Sequence, residues 1–265
     1  MTRSRDLDIA AHNREAWNRE ARSGEIWSRP VDEATVARAR SGDFEVILTP
    51  TLPVPQDWFG GLQGTALLGL ASAGGQQMPL LAAAGASVTS FDLSDEQLAL
   101  DAGVAERDGL DLRCVQGDMA VALPFPDASF DLVFHPVSNL FVPDPRHVWR
   151  ECARVLRGGG RLLAGFMNPD WFVFDHDEAE RTGAVRARYR LPYREPDDLT
   201  GQDLRDWEEA GRQILFSHSM DAQIGGQLAA GLCIEGFYED GWEDAENPVA
   251  RWVPSAFATL ARKPA

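Results

Sequence analysis

The sequence predicts an α/β fold built on a mostly parallel sheet, and three observations carry that prediction. From Thr65 to Phe134, short apolar or β-branched runs alternate with helical patterns, the rhythm of repeated βαβ units. The strand-like runs end in small or acidic residues, at Gly69 to Gly75, Asp92 and Gly117-Asp118, where open α/β sheets bind their ligands. The chain has 265 residues and is 44% hydrophobic, enough to bury one large core or one core with a smaller unit packed over it.

The elements follow in order. The first ~50 residues read as helical and carry Trp17 and Trp27, with amphipathic spacing the only guide. Arg3, Arg5, Asp6 and Asp8 interrupt the apolar stretch that an export signal needs. No run approaches the ~20 apolar residues of a bilayer span, so a cytoplasmic protein without membrane contact is expected. The first strand, Thr65 to Leu70, passes through the turn Gly69-Leu-Ala-Ser-Ala-Gly-Gly75 into a helix over Gln76 to Ala84. Pro79 is tolerated there because it lies near the helix start. The second strand, Ser87 to Asp92, precedes Ser94-Asp-Glu-Gln97, a capping box that opens a helix reaching Glu106. A third strand, Leu112 to Gln116, stops at Gly117-Asp118, and a fourth, Phe130 to Phe134, stops at His135-Pro136.

Pro145 to Leu156 reads as a helix with Val148, Trp149, Cys152 and Val155 on one face, terminated by Gly158-Gly-Gly160, since glycine takes the left-handed cap readily. A fifth strand spans Arg161 to Met167, a helix Asp221 to Ala230, and two last strands Cys233 to Tyr238 and Ser255 to Arg262. Residues 1–60 are expected to form a helical cover over the ligand site and residues 61–265 the α/β domain. Within it, residues 168–217 read as a substrate lid, because so long an insertion is more often a binding element than an idle loop.

Composition narrows the partners. The net charge is −16, and residues 170–247 hold 19 acidic side chains against seven arginines. Such a surface repels polyanions, so no nucleic-acid partner is expected. Cys114, Cys152 and Cys233 are widely spaced without a CxxC pair, which argues against a disulfide framework and a zinc site. All three read as small core residues. A small-molecule substrate remains, with monomer and homodimer both open.

A strand, a small-residue turn and a helix bring backbone N–H groups and a helix N-terminus close to a ligand. Asp92 ends the neighbouring strand 17 residues beyond Gly75, where a carboxylate accepts bonds from ribose hydroxyls. Alone, that pair fits any nucleoside-binding protein of this architecture. Three further segments sharpen it: Gly117-Asp118-Met119, Leu123-Pro-Phe-Pro-Asp-Ala-Ser-Phe-Asp131, and Arg154-Val-Leu-Arg-Gly-Gly-Gly160. The series resembles the class I S-adenosylmethionine-dependent methyltransferases, specifically their type 11 small-molecule branch, strongly over Thr65 to Met167 and more loosely at Phe257 to Lys263.

That resemblance implies a Rossmann-like sheet of seven mostly parallel strands with an antiparallel last strand, and helices on both faces. It implies S-adenosylmethionine as cofactor, with Gly69, Ala71, Ser72, Ala73, Gly74 and Gly75 around its methionine part. Asp92 would bind the ribose, Leu93 would pack on the adenine, and Gly117, Asp118 and Met119 would meet the adenine edge. Ser138 and Asn139 would hold the amino-acid part or the substrate. The family pattern Asp-x-Gly-x-Gly-x-Gly is altered here to Gly69, Ala71, Ala73 and Gly75, so an acid and two glycines are missing. Alanine disfavours positive φ, and Gly74-Gly75 offers a shift of the tight part of the turn by one residue.

Each candidate has a structural alternative. Asp92 could cap the next helix, but Ser94 already fills that role. Asp118 could simply form a turn. His135 is the candidate general base, leaving the fourth strand near the transferable methyl, although a histidine before proline is often structural. His176 and His218 are rivals. Trp17 and Trp27 either anchor the N-terminal helices or wall the sulfonium, whose charge is attracted to aromatic faces. Tyr189, Tyr193 and Arg194 are weaker substrate contacts. Methyl transfer is an in-line displacement that needs neither metal nor covalent intermediate. Two other functions fit the same turn: a non-catalytic ligand-binding or regulatory protein, favoured by Ala71 and Ala73, and an NAD-dependent oxidoreductase, disfavoured by Gly117-Asp118 and Arg262-Lys263.

Overall fold

The computed structural model describes residues 7–243, 245 and 247–265; Arg3, Arg5 and Asp6 lie outside the described residues. Helices α1 (Ile9–Ser23) and α2 (Glu33–Arg40) precede β1 (Ala66–Leu70), α3 (Gln77–Ala83), β2 (Ser87–Asp92), α4 (Asp95–Asp108) and β3 (Leu112–Gln116). Then come β4 (Phe130–His135), α5 (Pro145–Val155), β5 (Leu156–Met167), α6 (His176–Thr182), α7 (Gly201–Ala210), α8 (Gly226–Ala229), β6 (Cys233–Asp240) and β7 (Ala256–Arg262). The seven strands lie in the order β3-β2-β1-β4-β5-β7-β6. Only β7 runs against its neighbours, β5 and β6, as the family resemblance implies.

Strand alternation sorts the core into two layers. Leu67, Val88, Leu132 and Leu163 pack on one side of the sheet with Leu81 of α3 and with Val54 and Trp58. Leu68, Val133 and Leu162 pack on the other side with Val148, Trp149 and Cys152 of α5. Trp149 is fully buried, and its indole donates to the Ala222 carbonyl at 3.1 Å. Burying a side chain of this size contributes about 2–3 kcal/mol, and Val148, Cys152 and Val155 of α5 are buried beside it.

Three details differ from expectation. The Gly158-Gly-Gly160 run does not end a helix: α5 stops at Val155 and the chain is already extended at Leu156. Without side chains, the glycines loop out of the ladder, where the register jumps from Phe130↔Leu156 to Leu132↔Arg161. Gly159 takes φ 79, and its N–H donates to the Lys263 carbonyl at 2.8 Å. The helix expected over Asp221 to Ala230 begins as a wide π turn, Asp221–Gly225. Cys152 is buried, but Cys114 is half-buried and Cys233 exposed, because β6 is an edge strand whose outer positions meet water. Among the described residues, no helix is long and apolar enough to cross a membrane.

Candidate active site

Strand order reverses between β1 and β4, so the connections leave those strands in opposite directions and open a crevice at their carboxyl ends. A cavity of about 370 Å³ occupies it. Its floor is the residues that follow four strands: Ala71, Ser72 and Ala73 after β1, Asp92 and Leu93 at the end of β2, Gly117, Asp118 and Met119 after β3, and Val137 and Ser138 after β4. Asn13 and Trp17 of α1 form part of the roof, with Trp27 and Trp242. Eight of the expected cofactor residues, and Ser138, therefore converge with the two N-terminal tryptophans.

The turn keeps its shape through its alanines. Ala71 takes φ 51 and Ala73 φ 62, with Gly75 at φ 74. Left-handed backbone costs an L-residue about 1–2 kcal/mol, so two strained residues replace two relaxed ones. The one-residue shift through Gly74 does not occur. Gly69, Gly74 and Gly75 do not line the cavity, because their bare Cα faces are used for packing. The Met78 sulfur fills the place of a side chain at position 69, and the Gln97 carbonyl that of one at position 74. At position 75 a Cβ would come within 2.9 Å of Pro30 Cα.

Asp92 is 8% exposed, and its Oδ1 accepts the Ser94 N–H at 2.8 Å. Burial pushes its carboxyl up to about 6, against the pull of backbone N–H bonds. Ser94 accepts the Gln97 N–H at 3.1 Å, but Gln97 does not return the bond as in a capping box. Its amide donates instead to Ser28 Oγ at 2.7 Å, and Asp92 serves the Ser94 N–H. Asp92 is thus both a cap and a cavity wall. Gln97 Oε1 and Ser72 Oγ are buried without a hydrogen-bond partner, and both residues line the cavity. An unsatisfied buried polar atom costs about 1–3 kcal/mol. Asp118 forms the expected turn, its Oδ1 accepting the Ala120 N–H at 2.7 Å, while still lining the cavity.

His135 is the main correction. Alternation puts it on the α5 side of β4, fully buried, with its ring edge-on to Trp149 at 5.7 Å. Its Nδ1–H donates to the Leu70 carbonyl at 2.9 Å, and burial holds the imidazole down at about 4. It does not reach the cavity that Pro136 to Ser138 line. Asn139 also turns away, its side-chain amide pairing both ways with that of Gln223 at 2.9 and 3.1 Å. His218 Nε2 bonds the Asn139 and Val142 carbonyls, and His176 Nε2 the Trp171 carbonyl. Trp17 meets Phe141 edge-on at 5.1 Å, and Trp27 lies 6.4 Å from Trp242.

No residue of 168–217, Tyr189, Tyr193 and Arg194 included, lines the cavity. That insertion backs the roof instead: Asn13 Oδ1 accepts the Ile214 N–H at 2.7 Å, His12 stacks on Trp207 at 5.1 Å, and the Phe216 N–H donates to the Leu140 carbonyl at 2.8 Å. Sequence reasoning missed Asn13, Trp242 and Asp101. For Asp101 a signal existed: it shares helical spacing with the buried Leu98, Val104 and Ala105, where a carboxyl needs a partner.

Comparison with known proteins agrees with this geometry. Residues 68–164 match the family model described as a methyltransferase domain. The chain is 42% identical over 232 residues to the uncharacterized methyltransferase YbaJ of Bacillus subtilis (strain 168), covering 88% of this chain and 91% of that one. The S-adenosylmethionine-dependent methyltransferase from Mesorhizobium loti superposes with a TM-score of 0.60 at 18% identity, over 79% of this chain and 94% of that one. The 1,6-didemethyltoxoflavin-N1-methyltransferase of Burkholderia thailandensis, solved with 1,6-didemethyltoxoflavin and S-adenosylhomocysteine, does so at 0.58 and 16% identity, over 100% and 92%.

Proposed function

The chain belongs to the class I S-adenosylmethionine-dependent methyltransferases, and from that membership we propose that it methylates a small, uncharged, largely apolar acceptor. One observation carries the acceptor class. Among the described residues, Asp92 and Asp118 are the only charged side chains lining the cavity, and the rest of the wall includes Ile9, Leu48, Val137, Leu140, Phe141 and Met167. A charged acceptor would lose its hydration there without gaining a counter-ion.

The polar end fits the cofactor. Asp92 on the cavity wall supports a role in accepting from ribose hydroxyls, and Leu93 and Met119 give apolar surface for a base. Bound S-adenosylmethionine supplies an electrophilic methyl group on sulfur. The chain's own part is to hold the acceptor in line with that methyl and to keep water out, which Trp17, Trp27 and the α1 roof do. No histidine, lysine or glutamate among the described residues lines the cavity. The acceptor atom therefore needs no protein base before it attacks, as with the lone pair of a neutral ring nitrogen or the π electrons of an electron-rich carbon.

We further propose that residues 1–60 act as the cover and that residues 168–217 brace it from behind. The test is release of S-adenosylhomocysteine from S-adenosylmethionine with a panel of neutral heteroaromatics and phenols against carboxylated and phosphorylated analogues. Turnover confined to the charged analogues, or no binding of either nucleoside by calorimetry, would sink the reading.

A further inference from the structure

We propose that Asp101 is the positioning residue of the cofactor turn, supplying from α4 the carboxyl that position 69 lacks and holding Ala71 and Ala73 in left-handed backbone. Its Oδ1 accepts the Gly75 N–H at 2.7 Å, and its Oδ2 accepts the Ser90 hydroxyl at 2.7 Å. Ser90 is the β2 partner of Gly69 in the sheet register. The carboxyl thus sits beside the strand position where the family pattern has its acid, but reaches it from α4. An acid could not simply return to position 69, where the Met78 sulfur lies.

The turn needs such a clamp because alanine does not hold positive φ by preference. Its first residue is pinned by the Ala71 N–H to the Phe91 carbonyl at 2.8 Å, and its last by the Val31 N–H to the Gly75 carbonyl at 2.8 Å. Asp101 is the third point, and the one that grips the far end through a side chain. It is fully buried and does not line the cavity, so it acts through Gly75 and not on a ligand. Burial, with a smaller contribution from the charge of Asp92, pushes its carboxyl up to about 7, against the bonds from Ser90 and Gly75. A buried carboxyl kept at that cost, with both oxygens spent on the turn and its flanking strand, marks a dedicated role.

The test is a mutant cycle read in two ways: urea unfolding of the ligand-free protein, and calorimetric titration with S-adenosylhomocysteine. Asp101→Ala is expected to weaken binding at least tenfold. Asp101→Asn keeps an acceptor for Gly75 and a donor for Ser90, and is expected to stay within threefold of the parent. Ala71→Gly with Ala73→Gly relaxes the turn, so in the Asp101→Ala background the pair should recover most of the lost affinity and unfolding midpoint. The proposal is overturned if Asp101→Ala binds as the parent does, if the glycines give no recovery, or if Asp101→Ala fails to fold with and without them. Folding of the triple variant alone would support it. The ligand-free arm reports on the clamp even if the nucleoside proves not to bind.

Discussion

The two ends of the cavity are made in different ways. The end proposed for the nucleoside is built from short segments directly after β1, β2 and β3, and it offers main-chain geometry and one buried carboxyl. The apolar end draws on Ile9, Trp17, Val137, Phe141, Met167 and Trp242, residues scattered along the chain, and it offers shape without charge. A backbone-built site tolerates few substitutions, because each must preserve φ and packing. A side-chain-built wall can change gradually, since hydrophobic residues of similar volume exchange at small cost. Cofactor binding should therefore fail in steps when the first end is altered, and acceptor choice should drift when the second is.

Four substitutions break or sharpen that contrast. The largest effect is expected from Gly74→Ala, whose Cβ would overlap the Gln97 carbonyl: overpacking against backbone should cost about 2–3 kcal/mol in urea unfolding and more than a tenfold loss in S-adenosylhomocysteine affinity. An unchanged unfolding midpoint would show that the turn can lift off α4. Next, Asp92→Ala should weaken cofactor affinity at least tenfold, about 1.4 kcal/mol.

Asp92 also has a pH signature. Its carboxyl titrates at about 6 in the fold against an ordinary 3.8, so the native state holds the proton more tightly than the unfolded chain. Its contribution to ligand-free stability is then greatest below about pH 4 and falls as pH rises through 6. Ribose binding needs the charged form, so ligand affinity runs the other way and weakens as pH drops through 6. Thermal melts with and without S-adenosylhomocysteine between about pH 5 and 8 should diverge; parallel curves would remove Asp92 from the site.

A smaller effect is expected from Trp27→Leu. If the indole faces the sulfonium, affinity for S-adenosylmethionine should fall about threefold to fivefold, the size of a modest cation–π contact, while affinity for uncharged S-adenosylhomocysteine changes less than twofold. Equal losses would reduce Trp27 to packing. The smallest effect is assigned to His135→Gln, which keeps a donor for the Leu70 carbonyl and should leave the methyl-transfer rate within about twofold, well short of what losing a general base costs. A hundredfold drop would return His135 to the chemistry.

Much of the cavity floor was legible because its signals are local. Strand ends carry Asp92 and Gly117-Asp118, Ser94 marks a helix start, and small residues mark the turn. His135 misled because a strand-end position says nothing about which face its side chain takes. Asn139 misled for a related reason: its partner, Gln223, lies 84 residues away. The cavity lining does not include the segment 168–217 expected as a lid; its contacts are with the back of α1, at Asn13 and His12.

The sequence by itself determined the order of the seven strands and most of their ends, since periodicity, caps and turn residues act within a few residues. Only the tertiary structure decided that Ala71 and Ala73 take left-handed backbone, that Asp101 meets Gly75, and that apolar side chains from distant segments close the cavity. Those outcomes depend on burial and on contacts between segments far apart in the chain, where packing overrides what each residue prefers alone.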